Sequence, residues 1–123
     1  MGKEQKDFNF RNLIVWQKAV DLVDRIYSLT GSFPQSENKI LIPQLLRAVN
    51  SIPSNIAEGN GRKSRKEFVQ YLYFAKGSLA ETLTFLEIAK RRNYLDMSDY
   101  IEINEACVEI QKLIVALINK YSG

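Results

Sequence analysis

Four cations crowd one short stretch of this chain: Arg62, Lys63, Arg65 and Lys66, inside the run RAVNSIPSNIAEGNGRKSRKE from Arg47 to Glu67. Side chains of this type and density neutralise phosphate groups, and with no base-recognition motif beside them they point to electrostatic, steeply salt-dependent binding of a nucleic-acid backbone. Gly59 and Gly61 can take the left-handed conformation that closes a helix, while Ser64 with Glu67 three residues on has the form of a capping box that opens another. The cations therefore crowd a helix start, where the macrodipole already presents partial positive charge and a further cation is locally unfavourable. That local cost invites a functional explanation. The competing reading is a solvated face, or pairing with Glu58 and Glu67.

Other chemistry is poorly supplied. The chain has no histidine and a single cysteine, Cys107, so the usual zinc, haem and general-base sets and an intrachain disulfide are excluded. Glu58 and Glu81 are the only acids in an interesting setting, and no phosphate loop, metal set or nucleophile accompanies them. The expectation is a protein that is not an enzyme, with no cofactor and no metal. Cys107 falls within an apolar seam and reads as a small buried hydrophobe. Arg47, Asn55, Glu58, Ser78 and Glu81 lie near apolar stripes and are expected to form a buried polar network that fixes packing.

At 123 residues, 46% hydrophobic and 25% charged, the composition suits one globular domain with a real core. No apolar stretch reaches the roughly 18 to 20 residues needed to cross a bilayer, and MGKEQKDFNF lacks an apolar signal core, so a cytoplasmic protein without membrane contact is expected. The net charge of +3 is polarised: residues 62–95 hold eight Lys and Arg against three acids, whereas 96–123 hold two against five. A second basic group, Lys90, Arg91 and Arg92, has a structural account, since cations are favoured at a helix C-terminus and Asp96, Asp99 and Glu102 follow closely. Tyr71, Tyr73 and Phe74 near the basic turn offer stacking faces of the kind single-strand binders use, but Tyr71 and Phe74 also fit core positions, and core or subunit interface is the favoured reading.

Apolar spacing predicts the four helices that must position these groups. In helix one, roughly Asn12 to Thr30, Leu13, Trp16, Val20, Val23 and Tyr27 form one stripe and Val15, Ala19, Leu22, Ile26 and Leu29 a second. Helix two, capped by Ser36, carries Leu41, Leu45, Ala48, Ile52 and Ile56 toward Gly59; Pro53 predicts a bend, and Pro43 a bend or a short first piece with a restart. Helix three runs from Ser64 to about Asn93, about 28 residues and roughly 40 Å, with Phe68, Leu72, Ala75, Leu79, Leu83 and Leu86 on one side. Its mid-helix Ala75, Gly77, Ser78 and Ala80 imply a close backbone neighbour. Helix four repeats Tyr100, Ile103, Cys107, Ile110, Ile114, Leu117 and Tyr121, with Ile101, Val108 and Val115 on a neighbouring face. Residues 1–11 read as a flexible segment and 12–121 as one all-α domain, an antiparallel up-down-up-down four-helix bundle. Helices one and four each show about two apolar stripes, an excess that points to self-association.

The segments LIVWQKAVDLV, Phe33-Pro34, QLLRAVNSIPSNIAEGNGRKSRKEFVQYL and AKGSLAETLTFLEIAKRRNYL together resemble the bacterial four-helix-bundle family of 23S rRNA intervening-sequence proteins over nearly the whole chain. The centre of the match is SIPSNIAEG followed by GR and S-x-x-E, then A-x-GSL-x-E; Pro43 departs from the pattern. The resemblance implies a homopentameric ring. A similar architecture serves as the accessory variability determinant of diversity-generating retroelements, a basic pentamer that binds reverse transcriptase and nucleic acid. The resemblance transfers no catalytic role to Arg47, Asn55, Glu58, Arg62, Ser64, Ser78 or Glu81.

The leading expectation is a ring-forming scaffold that binds RNA or DNA through a rim of Arg62, Lys63, Arg65 and Lys66. The alternative is a protein-interaction scaffold or accessory subunit, for example for a reverse transcriptase, docking its partner on a face such as Glu102, Glu105 and Glu109.

Overall fold

The computed structural model describes residues 9–123. Four α-helices make the fold, α1 (Ile14–Thr30), α2 (Leu41–Asn60), α3 (Arg65–Arg91) and α4 (Met97–Ser122), with 3-10 turns at Phe10–Asn12 and Gln35–Glu37. Among the described residues there is no strand. Each helix packs on its neighbour in sequence, and α4 closes the square by packing on α1. The short links reverse direction each time. Lys18 pairs with Glu109 and Arg25 with Glu102, so α1 and α4 run antiparallel. The first eight residues of the expected flexible segment lie outside the described residues; Phe10 sets its ring edge-on to Trp16 at 5.2 Å.

The core follows the spacing closely. All five apolar positions expected in α2 are buried, as are Phe68, Leu72, Ala75, Leu79 and Leu86 of α3 and Ile103, Cys107, Ile110 and Ile114 of α4. In α1 the stripe Val15, Ala19, Leu22 and Ile26 points inward, while Leu13, Trp16 and Val23 are half-buried against the core. The expected apolar excess on α1 is therefore largely absorbed, because α1 has a neighbour on each side, α2 and α4. The surplus lies elsewhere. Of nine exposed large hydrophobics among the described residues, Tyr73, Phe74, Ile88, Met97, Ile101 and Val108 belong to α3 and α4.

Both ends of α2 differ from expectation. Ser36 does not cap α2; it sits in the 3-10 turn, and Glu37 accepts the Leu41 N–H on its carboxylate at 3.3 Å. A carboxylate there also complements the positive end of the helix dipole. Pro43 falls in the first turn of α2, where its missing N–H had no helical partner to lose, so it marks a restart after the 3-10 piece and not an interior bend. Pro53 is interior and buried, yet α2 continues through it. No glycine has positive φ among the described residues: Gly61 ends α2 in a right-handed conformation at φ −85°. The left-handed residue is Asn93, φ 63°, closing α3 with Tyr94 N–H on the Ala89 carbonyl and Asn93 N–H on that of Lys90. That pair of bonds is the Schellman pattern.

Candidate nucleic-acid interface

The basic turn lies where α2 meets α3. Gly59 makes this approach possible, since a Cβ on it would sit 2.5 Å from the Cβ of Tyr71 and 3.0 Å from the Phe68 ring. Its role is steric, in a helical conformation, and not the left-handed stop that the sequence suggests. Ser64 accepts the Glu67 N–H on its hydroxyl at 3.1 Å, as a capping residue does, and lies 3.2 Å from the Glu67 carboxylate. The turn and the start of α3 are thereby fixed.

Arg62 is committed within this turn. Its guanidinium donates to the Glu58 carboxylate at 2.6 Å and to the Tyr71 hydroxyl at 2.5 Å, and lies 4.8 Å from the Tyr71 ring centre. Tyr71 in turn donates to the same Glu58 oxygen at 3.1 Å. The Arg62 hydrogen bond, then that of Tyr71, hold the Glu58 carboxyl below its usual range. Glu58 raises Arg62 correspondingly, and desolvation with the Glu58 bond pushes the Tyr71 phenol up. Arg62 is thus a structural clasp, paired with Glu58 on a side chain that stays 39% exposed.

Lys63, Arg65 and Lys66 are exposed, and no ion pair engages them among the described residues. Folding adds a cation to them. The Arg65 guanidinium lies 5.6 Å and the Lys120 ammonium 5.4 Å from the ring centre of Tyr121, which packs on Phe68 at 5.5 Å. Lys120 lies in a net acidic segment, so local charge counting missed it; the signal was the antiparallel topology, which sets the end of α4 beside the start of α3.

The second basic group is paired at the bundle surface, though by other partners than expected. Glu87 accepts from Arg91 at 2.8 Å, lies 3.4 Å from Lys90 and accepts the Tyr100 hydroxyl at 2.7 Å. Those bonds, Tyr100 first and Arg91 next, pull the Glu87 carboxyl down to about 2. Arg92 donates to the Tyr94 hydroxyl at 3.0 Å, and Tyr94 donates to Glu37 at 2.7 Å. Asp96 instead caps α4, accepting the Asp99 N–H at 2.8 Å.

The expected polar network does not form within one chain. Arg47 and Glu81 are exposed and Asn55 donates to the Ser51 carbonyl at 2.8 Å. The Ser78 carbonyl accepts the Thr82 hydroxyl, and Glu58 serves the Arg62 clasp. Apolar spacing placed these five near the stripes, but the bundle leaves Arg47, Glu58 and Glu81 exposed and Asn55 and Ser78 half-buried at its flanks. The acidic stripe of α4 is also occupied: Glu102 binds Arg25 and Glu109 binds Lys18, leaving Glu105 without an ion pair among the described residues. Cys107 is buried, and burial raises its thiol to about 12. Among the described residues no group of three metal-ligating side chains converges, and no helix is long and apolar enough to cross a membrane.

These features define a class, a four-helix bundle with one positively charged end. The family model described as 23S rRNA-intervening sequence protein matches residues 11–116, and the chain belongs to that family. A solved structure from Bacteroides thetaiotaomicron, a protein of unknown function from the S23 ribosomal protein family, superposes with a TM-score of 0.77 at 30% identity, covering 85% of this chain and 98% of that one. No curated protein matches the chain.

Proposed function

We propose that the protein is a cytoplasmic, non-enzymatic scaffold that assembles with copies of itself, as a homopentameric ring by family resemblance, and binds RNA or other nucleic acid through its basic end. The observation that carries this reading is the trio Lys63, Arg65 and Lys66, exposed and without ion pairs among the described residues, with Lys120 drawn beside them by Tyr121. Repeated around a ring, such an end forms a positive rim whose potential exceeds one subunit's share. Arg62 belongs to the support of this surface. The contact is with phosphates, so affinity is expected to fall steeply with salt.

The test is binding of a mixed RNA pool to the wild type and to a Lys63→Glu, Arg65→Glu, Lys66→Glu variant at low and high salt, with circular dichroism as the control for folding. Loss of RNA binding in the folded variant supports the reading. Unchanged affinity overturns it.

A further inference from the structure

The exposed aromatic residues of α3 stand next to the basic end, and the chemistry around them differs from that of the aliphatic surplus. Tyr73 is 54% and Phe74 48% exposed, so Phe74 is not the core residue that its spacing allows. Lys76 lies 6.0 Å from the Tyr73 ring centre. Lys66 stands two turns before Tyr73 on the same face, about 10 Å along the axis at the standard rise. The Phe74 ring meets Tyr71 edge-on at 5.4 Å and 83°, and Tyr71 is itself fixed by Glu58 and Arg62. Phe74 is therefore positioned before any ligand arrives, and Tyr73 stands beside it in sequence with Lys76 at its ring.

A buried protein contact tends to exclude lysine, whereas a single-strand platform combines cations for the backbone with aromatic faces for bases. Ile88, Met97, Ile101 and Val108 are exposed aliphatic side chains with no aromatic face to offer a base. Tyr73 and Phe74, with Lys66 and Lys76, match the second.

Resting on the scaffold reading above, we propose that the nucleic acid bound is single-stranded, with bases stacking on Tyr73 and Phe74 and the backbone continuing onto Lys66 and Lys63. Stacking is sequence-tolerant because every base has a π-face. Duplex, whose bases are already stacked, gains only the electrostatic part.

The experiment compares a labelled single-stranded RNA with a blunt RNA duplex of the same length by fluorescence anisotropy, using wild type, Tyr73→Ala/Phe74→Ala and Tyr73→Leu/Phe74→Leu. The leucine pair keeps apolar bulk and removes the π-faces. Both variants are expected to weaken single-strand binding about tenfold or more, as loss of stacking does. Duplex affinity, the salt slope and the assembled mass by light scattering are expected to stay unchanged. Equal weakening for both RNAs, or none for either, overturns the stacking proposal. So does single-strand binding retained by the leucine pair, and so does loss of assembled mass, which would make the patch a contact between copies. Failure of the charge-reversal variant to alter any binding is a separate result that removes the electrostatic reading itself.

Discussion

Glu87 ties α3 to α4 through one carboxylate shared by Tyr100, Arg91 and Lys90. Its carboxyl moves from an ordinary 4.5 to about 2 on folding. A carboxyl depressed in the native state contributes stability that is fully present above its unfolded value and is lost as pH falls through the folded value. Urea midpoints are accordingly expected to drop between pH 4.5 and about 2, the window of this group. Glu87→Gln should lower the midpoint at neutral pH and flatten that acid limb; a variant with the wild-type limb would assign the loss to other acids. Glu58, also held low, contributes with the same sign. Cys107 gives a contrasting expectation. With its thiol fully buried and raised to about 12, labelling at pH 8 should proceed only through unfolding. Labelling of the native protein at the rate of an open thiol would contradict the packing of α4.

At the scale of the helices, two glycines make opposite predictions. Gly59→Ala places a methyl against the Tyr71 Cβ, where neither backbone can yield easily, and overpacking of this kind costs about 1–3 kcal/mol. Gly77 has nothing within 4 Å of its added Cβ, so Gly77→Ala should gain about 0.5–1 kcal/mol by relieving mid-helix glycine. Denaturant midpoints of the two variants moving in the same direction would refute the steric distinction. The same pair shows what the sequence could and could not disclose. Glycine at 77 suggested a close neighbour, but within the chain that side is open; Gly59, taken for a stop, is the site of close approach. The four helices and most of their buried apolar positions were legible, because a 3.6-residue period reports which side faces a neighbour; Val49, Thr82 and Ile118 are buried off the expected stripes. How many neighbours a helix has is not periodic information, so the double stripe of α1 looked like surplus until α2 and α4 flanked it. Glu37 escaped because its capping carboxylate reaches Leu41 from the preceding 3-10 turn. For Arg62 the competing reading, pairing with Glu58, is the one the structure bears out, and Tyr71, supplied by the following helix, completes the clasp.

For the whole molecule, the two basic groups of the sequence become one pole. Lys90, Arg91 and Arg92 face Glu87 and Glu37 at the opposite end, while Lys63, Arg65 and Lys66 keep their charge uncompensated by ion pairs among the described residues. An assembly raises that polarity only if its subunits point the same way, which a cyclic arrangement ensures and a two-fold pair with antiparallel axes does not. Ile101 and Val108, one heptad apart on the outer face of α4 and both exposed, are the natural place for such a contact, because neither packs in the core of its own chain. Ile101→Glu with Val108→Glu should therefore reduce the mass seen by light scattering to that of a monomer, with helical content preserved. RNA affinity should fall as well, although every basic side chain remains, since a monomer offers one set of cations where a ring offers several at once. An assembled mass that survives both charges would move the contact to another face. A monomer that binds RNA as tightly as wild type would instead detach binding from assembly, and leave the basic end acting one chain at a time.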